Sequence, residues 1–449
     1  MIGGAAWLIK QVSDYGFKDK RLQLRLEQVV GCFSGADMSK GFPAIFPGKG
    51  PLKGFYLLMN HAQSSHEDFF NCFRSNLALK AGQTYFAVHD SSKLDFTSQR
   101  EKEGMGYVSG LYQRGLWLHN TLLLSGSGLP EGMLCQQIII RDDKDYGKKH
   151  QRKQRPFEEK ESYKWAKGLI CGKEVADQYG CRFIHIMDRE GDALDVIGVA
   201  WQQDQHFIIR SCQDRLLPGK DEVLQRLTRH LEQLEPVALD MELPDGRGKL
   251  QKHACELKWQ EFEVEGNNLS VIALRSLTDP ETEWVLLSDQ PVNTQQQALQ
   301  VIQYYKRRWM VEELHKGMKT GCKMENRQFS SLHATLNSIA LLTLMAVWLL
   351  RIKVQAQTSG EEDMASMLSE QEQQVLQLLA KKHLRPLQKQ KLKQYSAKWL
   401  AVLLGNMGGF VGNQERHMPG WQTLWLGYTR YKAFYEAFCQ GQNAKAPMG

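Results

Sequence analysis

Residues 182–192 read RFIHIMDREGD, and this stretch decides the fold class. Arg182 to Met187 is a short run of apolar β-formers that stops at Asp188. The pattern occurs once before: Tyr85 to His89 (YFAVH) is a β-type run that ends on Asp90. Backbone leaves the sheet at a strand end, the side chain there meets solvent, and functional groups collect at such positions. Taken singly, a strand-ending aspartate is an ordinary turn or cap residue. Asp188 and Asp192 of DREGD also suit the start of a helix.

Outward from these two strands the chain alternates. Leu116 to Ser125 and Cys135 to Arg141 read as strands, Glu158 to Ala176 as a helix, and His206 to Arg210 as another strand. Lys144 to Arg155 is basic and lacks apolar periodicity, so it reads as a loop. Residues 212–283 carry short mixed segments with Gly and Pro breaks, Trp284 to Leu287 is a strand, and Gln295 to Lys319 is one long helix. The first 80 residues read as helices and loops: Phe17 to Val30 is helix-like, with Lys18, Lys20, Arg21 and Arg25 along it, and a Gly/Pro-rich turn region follows at Gly41 to Gly54. Beyond residue 355 the chain is helical and Gln/Lys-rich, with a Trp-rich segment at Gly420 to Tyr428. Strands alternating with helices give an α/β class.

The 449 residues exceed what one core of roughly 250–300 residues holds, so two to four structural units are expected. The 57 basic against 50 acidic residues leave a net charge of +7, which permits an acidic polymer as partner without demanding one. Nine scattered cysteines without a CxxC pair suit reduced thiols in a cytoplasmic protein and argue against structural zinc. The most apolar run, Ile339 to Leu350, is closed by Arg351 and is shorter than the ~20 residues a bilayer span needs, so it reads as a buried core helix and no membrane partner is expected.

The late helix carries the chemistry. Tyr305, Arg308, Glu312, Lys316 and Lys319 are spaced to share one face, with Leu299, Tyr304, Met310, Val311, Leu314 and Met318 opposite as a core stripe. Trp309 fits neither stripe. One reading is a solvated face with Arg308–Glu312 and Glu312–Lys316 pairs. The other is a metal-binding carboxylate flanked by cations that hold phosphates.

At this helix the sequence resembles the insertion-sequence-four family of DDE transposases, which carries Tyr, Arg three residues on, Glu four further and Lys seven further. Here these are Tyr305, Arg308, Glu312 and Lys319 within YKRRWMVEELHKGMK. VHDSS at Asp90 and IMDREGD at Asp188 resemble the family's first and second acids. GLWLHNTLLL from Gly115, EKESYKW from Glu159, FIIRS ending at Ser211, EWVLLS at Trp284 and the closing PGWQTLW agree in order. The likeness covers most of residues 80–350. FKDKRLQLRL, with Lys20, Arg21 and Arg25, resembles the family's end-binding helix, while YLLMN has Leu57 where relatives often carry an arginine.

The resemblance implies an α/β, ribonuclease-H-like catalytic core over residues 81–355 with a β-rich insertion at about 212–283. A helical DNA-end-binding region spans 1–80 and a helical C-terminal region 356–449. It implies a transposase that cleaves and joins DNA with Asp90, Asp188 and Glu312 as catalytic residues and ligands of two divalent ions. All-carboxylate ligands favour Mg²⁺ or Mn²⁺. Tyr305, Arg308, Lys316 and Lys319 would contact DNA, with Arg210 and Arg189 on phosphates unless they form ion pairs. Trp284 would receive a displaced base unless it is a core tryptophan, and His119 is equally a DNA contact or a core histidine. Partners would be double-stranded transposon ends and target DNA, bound by a homodimer through residues 356–449 unless Trp421 and Trp425 pack on the protein's own core. A metal nuclease on the same fold and a non-catalytic DNA-binding regulator are the alternatives.

Overall fold

The computed structural model describes residues 4–443, apart from 14–16, 18, 37, 39, 100–102, 149–153, 220–222, 245–249, 280, 359, 362, 366–367 and 413–417. Lys18 and the middle of the basic 144–155 loop therefore lie outside the described residues.

The strands are β1 (Thr84–Asp95), β2 (Gly106–Tyr107), β3 (Arg114–Leu124), β4 (Pro130–Ile139), β5 (Arg182–Met187), β6 (His206–Arg210), β7 (Leu216–Pro218), β8 (Leu224–Arg226), β9 (Val237–Pro244), β10 (Leu250–Val264), β11 (Asn267–Ser276) and β12 (Glu283–Ser288). Ten of them form one mixed sheet in the order β2-β3-β1-β5-β6-β12-β11-β10-β9, with β4 also paired to β3. β1 runs antiparallel to β3 and parallel to β5, and β5 runs parallel to β6. From β6 through β12 to β9 the pairing is antiparallel throughout. Residues 212–283 are β-rich as expected, but β9 to β11 extend the central sheet through β12 instead of forming a separate layer. The Gly and Pro breaks that suggested short segments hide the 15-residue β10, whose run is set by pairing on both sides.

The N-terminal helices are α1 (Gly4–Lys10), α2 (Lys20–Gly35), α3 (Phe42–Ile45), α4 (Lys49–Met59) and α5 (His66–Ser75). Asp19 caps α2 by accepting the Arg21 backbone N–H, and Leu22, Leu26, Val29, Val30 and Phe33 form its buried stripe. α6 (Tyr163–Tyr179), α7 (Leu194–Gln202) and α8 (Leu227–Glu232) follow, then α9 (Gln295–Tyr305), α10 (Trp309–Lys316) and α11 (Leu332–Thr358). The C-terminal set is α12 (Glu370–His383), α13 (Pro386–Lys391), α14 (Ala397–Met407) and α15 (Trp421–Asn443).

Period-two alternation sorts the strands onto two faces. Phe86 and Val88 of β1, Ile184 and Ile186 of β5, and Ile208 of β6 join a large apolar core with α9, α10 and α11. Their neighbours Phe183, Met187, Phe207 and Ile209 pack against α6 and α7 on the other side. The large core also takes in the N-terminal helices and α12, α14 and α15, so all three regions read from the sequence share it. α11 is its axis: residues 332–355 are long and apolar enough to cross a membrane, yet 89% of their most apolar 18-residue window is buried inside the protein. Trp348 of α11 meets Trp425 of α15 edge-on at 5.1 Å, so Trp425 packs on the protein's own core.

Candidate active site

Strand parity places the two aspartates. Val88 pairs with Ile186 across the parallel β1–β5 ladder. Two residues further, Asp90 and Asp188 keep the parity of Phe86, Val88, Ile184 and Ile186 and therefore turn toward the α9–α11 side. Asp90 lies within the long β1, opposite Asn120 of β3, whereas Asp188 lies just past the end of β5. Asp188 also does what a strand-ending aspartate ordinarily does: its Oδ1 accepts the Glu190 backbone N–H at 2.9 Å and caps a 3₁₀ turn. The second aspartate of DREGD has a different task. Asp192 is buried, accepts from Ser211 Oγ and from the backbone N–H groups of Cys212 and Gln213, and is ion-paired to Arg215. It thereby ties the chain leaving β6 to the loop that carries Asp188.

The third carboxylate comes from α10. The expected helix over Gln295–Lys319 is present and continuous, but it tightens to a 3₁₀ turn at Lys306–Arg308, between α9 and α10, and widens to a π turn at Gly317–Gly321. Propensity alone does not distinguish these from α-helix; packing does, since Gly317 lies against Ala346 of α11. Glu312 stands in the first turn of α10 and is ion-paired to Arg308 four residues before it. The Arg308–Glu312 pair read from spacing is therefore present, but on a half-buried face turned to the two aspartates.

The groups sense one another electrostatically. Burial, with the Asp188 carboxylate beside it, pushes Asp90 up to about 7; Glu312 adds to the push, while Arg308 and the Ser91 N–H oppose it. Burial also raises Asp188, against the Glu190 N–H, Arg308 and Lys164. Three acids and one central arginine thus act on one another. His315, also on α10, has Nδ1 3.7 Å from Asp90 Oδ2, and burial pushes it down to about 3, so it stays neutral.

The other expected site residues divide. Tyr305 is buried, not solvated: its hydroxyl makes no close hydrogen bond among the described residues and lies beside Arg308 and Arg210. Arg210 donates to the Glu283 carbonyl at 2.8 Å and lies near Arg189 and Arg308, while Arg189 is exposed. Lys316 is exposed, and Lys319, within the π turn, is half-buried near Asp90 and Asp95. Trp284 is buried, edge-on to Tyr305 at 5.2 Å. The DNA-contact reading of His119 is corrected: the residue is fully buried on the opposite face of β3 from Asn120, bonded to Ser91 Oγ at 3.0 Å and packed on Trp165. Its neighbours on a half-apolar strand gave no sign of which face it takes. Lys20, Arg21 and Arg25 lie on α2, with Arg21 exposed and chelated by Asp19 at 3.0 Å. Sequence reading missed His315, Asn120 and Lys164; Lys164 is buried and bonded to Glu190 at 3.1 Å, beside Asp188. Each is a polar residue at an apolar-periodic position, which was the available signal.

No family model matches the chain. As placed, no three metal-ligating side chains among the described residues converge on a single point. Glu312 is drawn instead to Arg308, whose guanidinium is the cation standing among the acids. The donors available are carboxylate oxygens, and buried neighbouring carboxylates with a raised Asp90 are the environment in which a hard divalent cation is stabilising.

Proposed function

We propose that this protein is a DNA transposase of the insertion-sequence-four type, with Asp90, Asp188 and Glu312 holding divalent cations at the phosphodiester. The single observation that supports this most is that an aspartate within β1, an aspartate just past the neighbouring β5 and a helix glutamate, far apart in sequence, share one face of the sheet with Arg308. The mixed sheet with helices on both faces supports the ribonuclease-H-like reading.

When bound, Mg²⁺ or Mn²⁺ would activate the attacking oxygen and stabilise the leaving one. The chain's own groups do the rest. The buried Tyr305 hydroxyl, Arg210, Arg308 and Lys319 present donors and charge to phosphates beside the acids. Arg308 must give up part of its hold on Glu312 as cation and DNA enter, moving from a carboxylate to a phosphate, both of which it binds through its fork. Water is the first nucleophile; the freed 3′-hydroxyl then attacks the opposite strand to form a hairpin and, after hairpin opening, attacks the target. No protein nucleophile is needed.

Two active sites would act on paired ends. The C-terminal helices would supply the dimer contact, through the outward side of α15, where Phe434 is exposed. Truncation at residue 355 is a poor probe of this, because it strips α14 and α15 from α11. Phe434→Asp is the cleaner variant, expected to bind one end and fail to pair two.

The deciding experiment supplies pre-cleaved transposon ends, Mg²⁺ and supercoiled target DNA. Joined product is expected; cutting without joining would make the protein a nuclease, and neither activity would make it a DNA-binding regulator.

A further inference from the structure

Asp90, Asn120 and Gln136 form a straight row across β1, β3 and β4, each the register partner of the next. All three point to the α9–α11 side, and Asn120 and Gln136 are buried. A polar row in such a place has to be satisfied. It is, and every bond runs in one direction. His66 Nε2 of α5 lies 2.7 Å from Gln136 Oε1, an acceptor, so His66 donates. Gln136 Nε2 donates to Asn120 Oδ1 at 2.8 Å and to Thr343 Oγ1 of α11 at 3.0 Å. Asn120 Nδ2 then donates to His315 Nε2 at 3.0 Å. A neutral imidazole that accepts at Nε2 carries its proton on Nδ1. That Nδ1–H is the atom 3.7 Å from Asp90 Oδ2, just short of a hydrogen bond.

We infer that His315 is a positioning residue for Asp90: the Gln136–Asn120 chain locks its tautomer, so that a fixed N–H is presented to the Oδ2 of the ionised carboxylate when Asp90 takes up a divalent cation. This rests on the proposed metal role of Asp90. A hydrogen-bonded partner behind a ligating group orients it, and losing such a partner typically costs 10–100-fold in metal affinity. The Ser91 N–H already holds Oδ1 at 2.7 Å, so His315 would fix the second oxygen and with it the plane of the carboxylate.

The test is Mn²⁺ uptake by the full-length protein, followed by electron paramagnetic resonance without DNA, with thermal unfolding measured alongside. His315→Leu and Asn120→Leu should each weaken uptake roughly 10–100-fold. His315→Asn, whose amide N–H replaces the lost Nδ1–H, should restore it to within about threefold of wild type. Restoration would not follow if His315 only filled space, because asparagine fills it less well than leucine. Folded His315→Leu protein with wild-type uptake, while Asp90→Ala abolishes it, would overturn the role of His315 alone. Wild-type protein that takes up no Mn²⁺, or takes it up independently of Asp90, would overturn the metal reading and this inference with it.

Discussion

His89 and Asp90 are neighbours in the chain and lie on opposite sides of the same strand, and the two sides behave differently. On the α6 side, His89 Nε2 bonds His185 Nδ1 at 2.8 Å, and the other nitrogen of His89 meets Thr121 Oγ1 at 3.1 Å. His185 is completed by Gln205 at 3.3 Å, and burial holds both histidines well below their ordinary range. Gly168 and Gly172 of α6 admit these rings: a Cβ at Gly168 would lie 2.5 Å from His89, and one at Gly172 would lie 2.6 Å from His185. This is a closed, neutral, satisfied network. On the α10 side, Asp90 and Asp188 are pushed up, Glu312 is pulled toward Arg308, and the buried Tyr305 hydroxyl lies beside Arg210 and Arg308. Both sides hold buried polar atoms without a close partner among the described residues, His119 Nε2 and Trp165 Nε1 on the α6 side among them; what separates the two sides is charge, neutral imidazoles on one and ionisable carboxylates with guanidinium groups on the other.

The largest expected effect tests the charged face. Asp90→Ala, Asp188→Ala and Glu312→Ala should each lower cleavage and joining by at least about 10³-fold, equivalent to roughly 4 kcal/mol of barrier, while end binding persists. A gel assay of nicking and joining reads this, and any of the three that cleaves at the wild-type rate leaves the site.

Next is Trp284, which lies on the charged face but is packed like a core residue. Trp284→Ala should lose about 3–5 kcal/mol of stability and slow every step together. Tyr305→Phe removes a buried hydroxyl that makes no close hydrogen bond among the described residues and lies beside Arg210, so its stability should stay near wild type while joining slows. A folded Trp284→Ala protein impaired only in hairpin formation would instead make this ring a platform for a displaced base.

A pH comparison sharpens the contrast further. The folded protein binds the Asp90 proton more tightly than the unfolded chain does. The resulting stabilisation is complete below the ordinary value near 3.8 and is lost as pH rises through about 7. Asp90→Asn should therefore be more stable than wild type by roughly 2–4 kcal/mol at pH 8 without divalent ions, and equal to it near pH 3. Denaturant titrations at the two pH values check this; a difference that is larger at low pH would reverse the sign and refute it.

The smallest effect belongs to the neutral face. Gly168→Ala should destabilise by about 1–2 kcal/mol, as overpacking against His89 outweighs the gain in helix propensity. Activity per folded molecule should be unchanged, and a selective loss of joining would show that the two faces communicate.

How much of this was legible in advance follows the range of the interactions. RFIHIM and YFAVH show their strands because strand patterning is local, and Asp188 does follow the end of β5; the expected strand end at Asp90 is corrected, since pairing with β3 carries β1 on to Asp95. The 3₁₀ and π turns within the 295–319 helix were not visible, since they answer to contacts with β1 and α11. His119 was ambiguous because alternation gives two faces without saying which is buried, and here both are.

By itself, then, the sequence determined the α/β alternation, the two aspartates that follow apolar β-runs and the Tyr305–Arg308–Glu312 spacing, all consequences of chain geometry over a few residues. Tertiary structure alone decided that β9 to β11 extend the central sheet, and that Asn120 and Gln136 line up behind Asp90 under His315. It also decided that the half-buried acids lie on the Arg308 side of the sheet. Those outcomes depend on register and on which helix covers which face, and both are set by long-range packing that no local window contains.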